Sequence, residues 1–304
     1  MMVPWKRKVI CLMGATATGK TDIAVDWATR YPFDIVSVDS AMVYRHMNIG
    51  TAKPHPTVLQ QVPHRLIDIL EPTARYSVAD FCTDALREIN TIYSAGRIPL
   101  LVGGTMLYFH ALQQGLAALP PANEQIRQQL TQDAAHFGNE VLHQRLQKID
   151  PKAAQHIKPT DGQRLQRALE VFLITGKPIS ALQRRTTKAD QYAFINIVMI
   201  PDARRQLHQR IAQRFQHMLA RGLVEEVEQL RNDYHLSLEL PAMRAVGYRQ
   251  VWQYLDGRYD WDTMRAKALA ATRQLAKRQI TWLRSWANVH RYPTDPMELL
   301  ATST

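Results

Sequence analysis

The chain has 304 residues, 46% of them hydrophobic, with 38 lysines and arginines against 27 acidic residues and a formal net charge of +11. That is enough apolar mass for one or two domains with a sizeable core, and no run approaches the ~20 apolar residues of a bilayer-spanning helix. Two cysteines, Cys11 and Cys82, lack metal-type spacing, which excludes a zinc module and fits a reducing cytoplasm. The basic excess points to a polyanionic partner, most simply nucleic acid. The opening MMVPWKRKVICLM has an apolar run too short for a secretion signal, so a cytoplasmic protein is expected.

The first predicted strand, 9–13, leads straight into Gly14, Ala15, Thr16, Ala17, Thr18, Gly19, Lys20 and Thr21. This is the phosphate-cradling P-loop spacing. Backbone N–H groups of such a loop converge on an anion, and the following helix, predicted over 21–30, adds its positive N-terminal end. Lys20 belongs against the outer phosphate and the Thr21 hydroxyl on a magnesium ion. The next strand, 34–38, ends at Asp39, one strand over from the loop. Its carboxylate can be a magnesium ligand or a general base beside the phosphates, and position alone leaves both open.

Further strands are predicted at 65–70 and 99–104, with helices at 77–95 and 105–114. His64, just before the third strand, is expected to be structural. The fourth strand ends in Gly103, Gly104 and Thr105, where an ATPase usually has an acidic residue. Paired glycines allow close backbone approach to a ligand or simply make a tight turn, and the Thr105 hydroxyl can reach a phosphate or a base. The stretch 120–190 then breaks the alternation: it is helical, rich in glutamine and arginine, and reads as an insertion of the lid or clamp kind. It separates core segments 1–119 and 191–304. A fifth strand at 193–200 and helical patterns at 204–231, 243–255 and 262–287 complete the core. The expected fold class is α/β, a P-loop NTPase-like parallel sheet flanked by helices, with a helical insertion domain and the ligand at the carboxyl ends of the strands.

Three basic constellations stand out. GQRLQRALEVF turns Leu165, Leu169 and Phe172 to one helical face and Arg164 and Arg167 to another. RAVGYRQVW groups Arg244, Tyr248 and Arg249 about a glycine. RQLAKRQITWLRSW aligns Arg273, Lys277 and Arg284 near Trp282 and Trp286. Any one alone is more often a solvated helix face; three in a basic chain favour RNA, whose phosphates and unpaired bases suit guanidinium groups and aromatic rings.

In order and spacing, GATATGKT, DSAMVYRHMNIGTAKP, HRLIDILEPTARYSVADF, LLVGGTMLYFHALQQGL, QRLQRALEVFLITGKPIS, RAVGYRQ and ATRQLAKRQITWLRSW resemble the motifs of bacterial tRNA dimethylallyltransferases, also called tRNA isopentenyltransferases, over essentially the whole chain. The resemblance implies transfer of a dimethylallyl group from dimethylallyl diphosphate to N6 of adenosine 37 in tRNAs reading codons beginning with U. The P-loop then holds the leaving diphosphate. Asp39 is implied as the base, with Lys20, magnesium (Mg2+) on Thr21, the loop amides and Thr105 completing the catalytic set.

Contacts with tRNA are implied at Asp39, Ser40, Ala41 and Met42, at Thr105 and Arg127, and at Gln163, Arg164, Leu165, Gln166 and Arg167. They are also implied at Arg244, Ala245, Val246, Gly247, Tyr248 and Arg249, and at Lys277, Arg278 and Arg284. Arg210 and Arg214 are further candidates for the diphosphate. The implied partners are the tRNA anticodon stem-loop, its target base flipped out, and dimethylallyl diphosphate; no membrane is involved, and the protein is a monomer. Met42 stands where many members have glutamine, so part of the amide-based base recognition is moved or missing. Ala15 replaces a frequent proline, a tolerable change where only backbone geometry is needed. The zinc-finger extension of eukaryotic members is absent, in agreement with the cysteine count. Rival readings are an adenylate isopentenyltransferase using free AMP or ADP, a small-molecule P-loop kinase, and a non-enzymatic RNA-binding protein that keeps a nucleotide as ligand.

Overall fold

Short runs of valine, isoleucine and leucine that are buried on both faces make parallel strands. In the computed structural model, which describes residues 7–182, 185–186 and 189–302, such runs form β1 (Arg7–Gly14), β2 (Phe33–Val38), β4 (Ile98–Gly103) and β7 (Tyr192–Met199), with two short, more exposed strands, β3 (His64–Arg65) and β8 (Val289–Arg291), at the edges. They build one sheet in the order β3-β2-β4-β1-β7-β8, parallel throughout. The chain first moves from β1 to β2, returns to lay β4 beside β1, then places β7 on the other side of β1. The crevice at the carboxyl ends of β1 and β4 is therefore the topological switch point, where ligands of open α/β sheets bind.

Alternate residues of each strand feed different helix layers. Val9, Cys11, Met13, Val36 and Val38 pack with Phe81, Ala85 and Ile89 of α3 (Val78–Ser94) and Phe109 of α4 (Met106–Gln114). Ile10, Leu12, Ile35 and Leu100 pack with Ala24 and Trp27 of α1 (Lys20–Arg30). Ser77 caps α3 reciprocally with Asp80, which fixes where that helix starts. A short α2 (Pro56–Gln61) precedes β3, and α12 (Pro296–Thr302) follows β8. No helix among the described residues is long and apolar enough to cross a membrane.

Three sequence expectations need correction. The third strand stops at Arg65, because Leu66 (φ 63°) and Asp68 (φ 55°) take left-handed backbone and carry the chain out of the ladder. The helix expected over 204–231 is two, α8 (Arg204–Ala220) and α9 (Leu223–Asp233), divided at Gly222 with φ 92°. The pattern over 243–255 becomes a single 3-10 turn, Ala242–Arg244, followed by α10 (Tyr248–Leu255), with Gly247 (φ 97°) between them. The pattern over 262–287 is α11 (Trp261–Ser285).

The chain divides into two compact units, Met1–Gln113 with Ala189–Thr304, and Gln114–Lys188. The second unit carries α5 (Glu124–Ile149), α6 (Pro151–Ala154) and α7 (Gly162–Thr175), with β5 (Leu116–Ala117) and β6 (Arg185–Thr186) paired antiparallel. Residues 1–6 of the opening stretch, and 183–184 and 187–188 of this segment, lie outside the described residues. Leu130, Leu142 and Leu146 of α5 pack on Leu165 and Leu169 of α7. Beside this core Glu170 is fully buried and accepts from the Asn123 N–H at 2.8 Å, Arg127 at 2.9 Å and Arg167 at 2.6 Å. Burial alone would raise its pKa; the two guanidinium groups and the amide outweigh that and hold it below the ordinary carboxylate value.

Candidate active site

The switch-point crevice opens into a cleft of about 530 Å³. β1 ends at Gly14, where a Cβ would lie 2.9 Å from the Thr18 hydroxyl. The chain then turns through Ala17 (φ 62°) and Gly19 (φ 85°), so that Lys20 opens α1. Gly19 is the N-cap and makes no side-chain cap, which leaves the first amides of α1 to an incoming anion. The Thr18 hydroxyl and the Lys20 ammonium both donate to the Ala15 carbonyl, at 2.8 and 2.7 Å. The Ala15 methyl itself packs with Leu207, Ile211 and Ala276.

Burial pushes the Lys20 pKa down to about 8, with repulsion from Arg214 adding to the fall and the Asp39 carboxylate opposing it. Arg214, on α8, is likewise lowered by burial and supported by Asp39. Two desolvated cations around one carboxylate leave the crevice net positive, in a medium where charges act strongly. An anion with several charges completes such a site.

Asp39 follows the last residue of β2. Its Oδ1 accepts from the N–H groups of Ala41 at 2.8 Å and Met42 at 3.2 Å, and Oδ2 has no hydrogen-bond partner among the described residues. One oxygen is thus held by the turn while the other is open to a ligand. The turn is tied to β4 in two places: the Thr105 hydroxyl accepts from the Ser40 N–H at 3.2 Å, and the Thr105 N–H donates to the Val38 carbonyl at 3.3 Å. Gly103 makes this approach possible, since a Cβ there would stand 2.0 Å from the Val38 oxygen.

Two residues that sequence reasoning passed over hold this frame together. Gln279 of α11 accepts from the Thr16 N–H at 2.9 Å and donates to the Gly104 carbonyl at 2.8 Å, bridging the P-loop and the glycine turn. The only hint was an uncharged amide within a cationic run. Glu226 of α9 accepts from the N–H groups of Asn48 at 2.9 Å, Ile49 at 2.7 Å and Gly50 at 3.1 Å, and from the Tyr248 hydroxyl at 2.6 Å. It anchors the segment that continues from Met42. Hydrogen bonds to a charged acceptor contribute about 1.5–3 kcal/mol each where buried; for this half-exposed carboxylate, Glu226→Ala is expected to cost about 2–3 kcal/mol in total. A urea midpoint that falls accordingly with unchanged m would show it.

The cleft gathers Thr16, Ala17, Lys20, Thr21, Asp39, Ser40, Ala41, Met42, Thr105, Arg214, Arg244, Ala245, Val246, Gly247 and Arg278. His64, expected to be structural, also lines the cleft. Its Nδ1 pairs with the Val62 carbonyl at 2.7 Å, burial keeps the ring neutral, and its buried Nε2 has no partner among the described residues. Arg210, Arg249, Lys277 and Arg284 are exposed and do not line the cleft.

Two residues with implied RNA contacts have buried side chains. Tyr248 is fully buried, with its ring where a Cβ on Gly50 would come within 2.4 Å and its hydroxyl on Glu226. Leu165 is a core residue of the second unit. In that unit Gln163 and Arg164 are exposed, Gln166 donates to the Arg127 carbonyl at 3.0 Å, and Arg127 and Arg167 are both held on Glu170.

The sequence pattern of the IPP transferase family matches residues 42–286. The chain belongs to that family. Among its relatives, the tRNA dimethylallyltransferase of Coxiella burnetii (strain Dugway 5J108-111) is 53% identical over 294 residues, covering 96% of this chain and 94% of that protein. The tRNA dimethylallyltransferase of Legionella pneumophila (strain Corby) is 54% identical over 287 residues, covering 94% and 92%. The full-length tRNA isopentenylpyrophosphate transferase from Bacillus halodurans has a similar structure, with TM-score 0.67 at 36% identity over 97% of this chain and 94% of that one. A eukaryotic dimethylallyltransferase acting on tRNA, 24% identical with TM-score 0.75 over 97% of this chain and 76% of its own, shares the fold. The parallel sheet with its P-loop is therefore the IPP transferase scaffold.

Proposed function

We propose that this IPP transferase moves the dimethylallyl group of dimethylallyl diphosphate to N6 of adenosine 37 in tRNAs reading codons beginning with U, releasing diphosphate. The observation that carries the reading is a single cleft in which a cationic phosphate loop faces a half-engaged carboxylate: Lys20 and Arg214 on one side, Asp39 on the other.

An exocyclic amine of adenine is a poor nucleophile because its lone pair is delocalised into the ring. Asp39 accepts its proton as the new N–C bond forms. The allylic C–O bond breaks with its electron pair going to the diphosphate, while the developing positive charge spreads over the allyl carbons, so no covalent enzyme intermediate is needed. Lys20, Arg214 and the loop amides stabilise the departing charge. Magnesium would be held by the Thr21 hydroxyl at the first turn of α1, beside the phosphate loop. Among the described residues no cluster of three metal-ligating side chains exists, which suits an ion that keeps waters and substrate phosphate oxygens as ligands. When bound it supplies further neutralisation of the leaving group. In this reading the turn 39–42 and Thr105 position the flipped base, and Arg244 and Arg278 meet RNA phosphates. Arg127, Gln163 and Arg164 of the insertion belong to the same proposal, as do a cytoplasmic location and a monomeric state.

Incubation with magnesium, labelled dimethylallyl diphosphate and unmodified tRNA, followed by digestion, is expected to place label on N6 of a single adenine. Label on free AMP in preference to tRNA would favour the adenylate reading. ATP turnover without RNA alkylation would overturn the proposal in favour of a kinase.

A further inference from the structure

The helices that wall the first cleft also carry a second one. It has a volume of about 430 Å³ and is lined by Arg204, Arg205, His208 and Gln209 of α8 and Arg273 of α11. The three arginines are exposed, and their side chains make no ion pair or hydrogen bond among the described residues. Some exposed arginines elsewhere sit on carboxylates, Arg30 on Asp26, Arg45 on Glu71 and Arg87 on Asp84; here three without such a partner line one concavity. The cluster repels itself. His208 is pushed toward its neutral form by desolvation and then by Arg273 and Arg204. A concave group of unpaired guanidinium ions is stabilised when an anion enters it.

The two clefts differ in what they can hold. The first has a buried ammonium and unengaged loop amides, suited to a small, desolvated diphosphate. The second is walled by solvated guanidinium groups on long side chains, suited to phosphodiesters that stay hydrated on a polymer. We infer that this second cleft docks phosphate groups of the RNA backbone, outside the first cleft that takes the target adenine; the inference rests on the tRNA reading above.

The test is Arg204→Gln combined with Arg205→Gln, a variant that leaves Asp39 and the P-loop untouched. Binding of unmodified tRNA is titrated across a salt series. Each lost phosphate contact should reduce the slope of log K against log salt by about 0.7–0.9, so the variant's slope should be shallower by about 1.4–1.8, with binding weaker by roughly 25- to 60-fold near 0.1 M salt. Its kcat for prenyl transfer at saturating tRNA should match the wild type. A charge-matched control, Arg30→Gln with Arg87→Gln, whose guanidinium groups already face carboxylates, should keep the original slope. An unchanged slope in the first variant, or an equal loss in the control, overturns the inference. So does weaker inhibition by inorganic diphosphate with tRNA binding intact, which would mark a small-anion site. If the wild type itself fails to prenylate tRNA, the functional reading falls, and the slopes still decide the docking site on their own.

Discussion

Asp39→Asn is expected to slow prenyl transfer by roughly 10²–10⁴-fold, the range for loss of a positioned general base. Affinity for tRNA should stay within about tenfold, or ~1.4 kcal/mol. Asparagine is the informative replacement because its carbonyl can still accept from the Ala41 and Met42 amides that hold the turn. Asp39→Ala should lose the same chemistry and loosen the turn as well, so its tRNA binding should fall below that of the asparagine variant. Single-turnover rates with tRNA in excess separate the two effects. Transfer by Asp39→Asn at the wild-type rate would remove the base from the mechanism.

Lys20 yields the second large effect, and it is one of pH. A lysine whose pKa is depressed to about 8 is protonated below that pH and loses its charge as pH rises through it. The value of kcat/KM for dimethylallyl diphosphate reports the free enzyme. It should be level near neutrality and fall by about tenfold per unit once the pH is well above 8. Arg214→Gln removes a repelling neighbour, so the fall should move to higher pH even as diphosphate affinity drops. Lys20→Met should abolish the dependence and cost roughly 10²–10³-fold, comparable to losing one preorganised oxyanion donor. A wild-type profile that stays flat to pH 10 would show that the ammonium is not titrating in the free site.

The sheet was legible where strands are buried on both faces, because VICLM, DIVSV and PLLVGG have no other way to hide their side chains. It was not legible at Val289–Arg291, a three-residue, mostly exposed edge strand with no apolar run. RLIDIL carries the apolar composition of a strand, but Leu66 and Asp68 leave the ladder through left-handed backbone that composition does not encode. Gly222 did mark a helix break, and a single glycine within a long helical pattern is a weak signal. At the site, the P-loop and Asp39 follow from local spacing and from the rule that ligands sit at strand ends. Gln279 and Glu226 do not, since each acts on residues far away in sequence. Tyr248 and Leu165 sit inside basic motifs, yet helical geometry turns them to the core while their arginine neighbours face out.

The two hydrogen bonds of Gln279 have a consequence for how the chain tolerates length changes. They fix the rotational phase of α11 against the P-loop, across a sequence separation of 263 between Thr16 and its partner. One residue added to that helix ahead of Gln279 would swing every upstream side chain by about 100° about the axis. Insertions and deletions along α11 should therefore be confined to its first turn or absent.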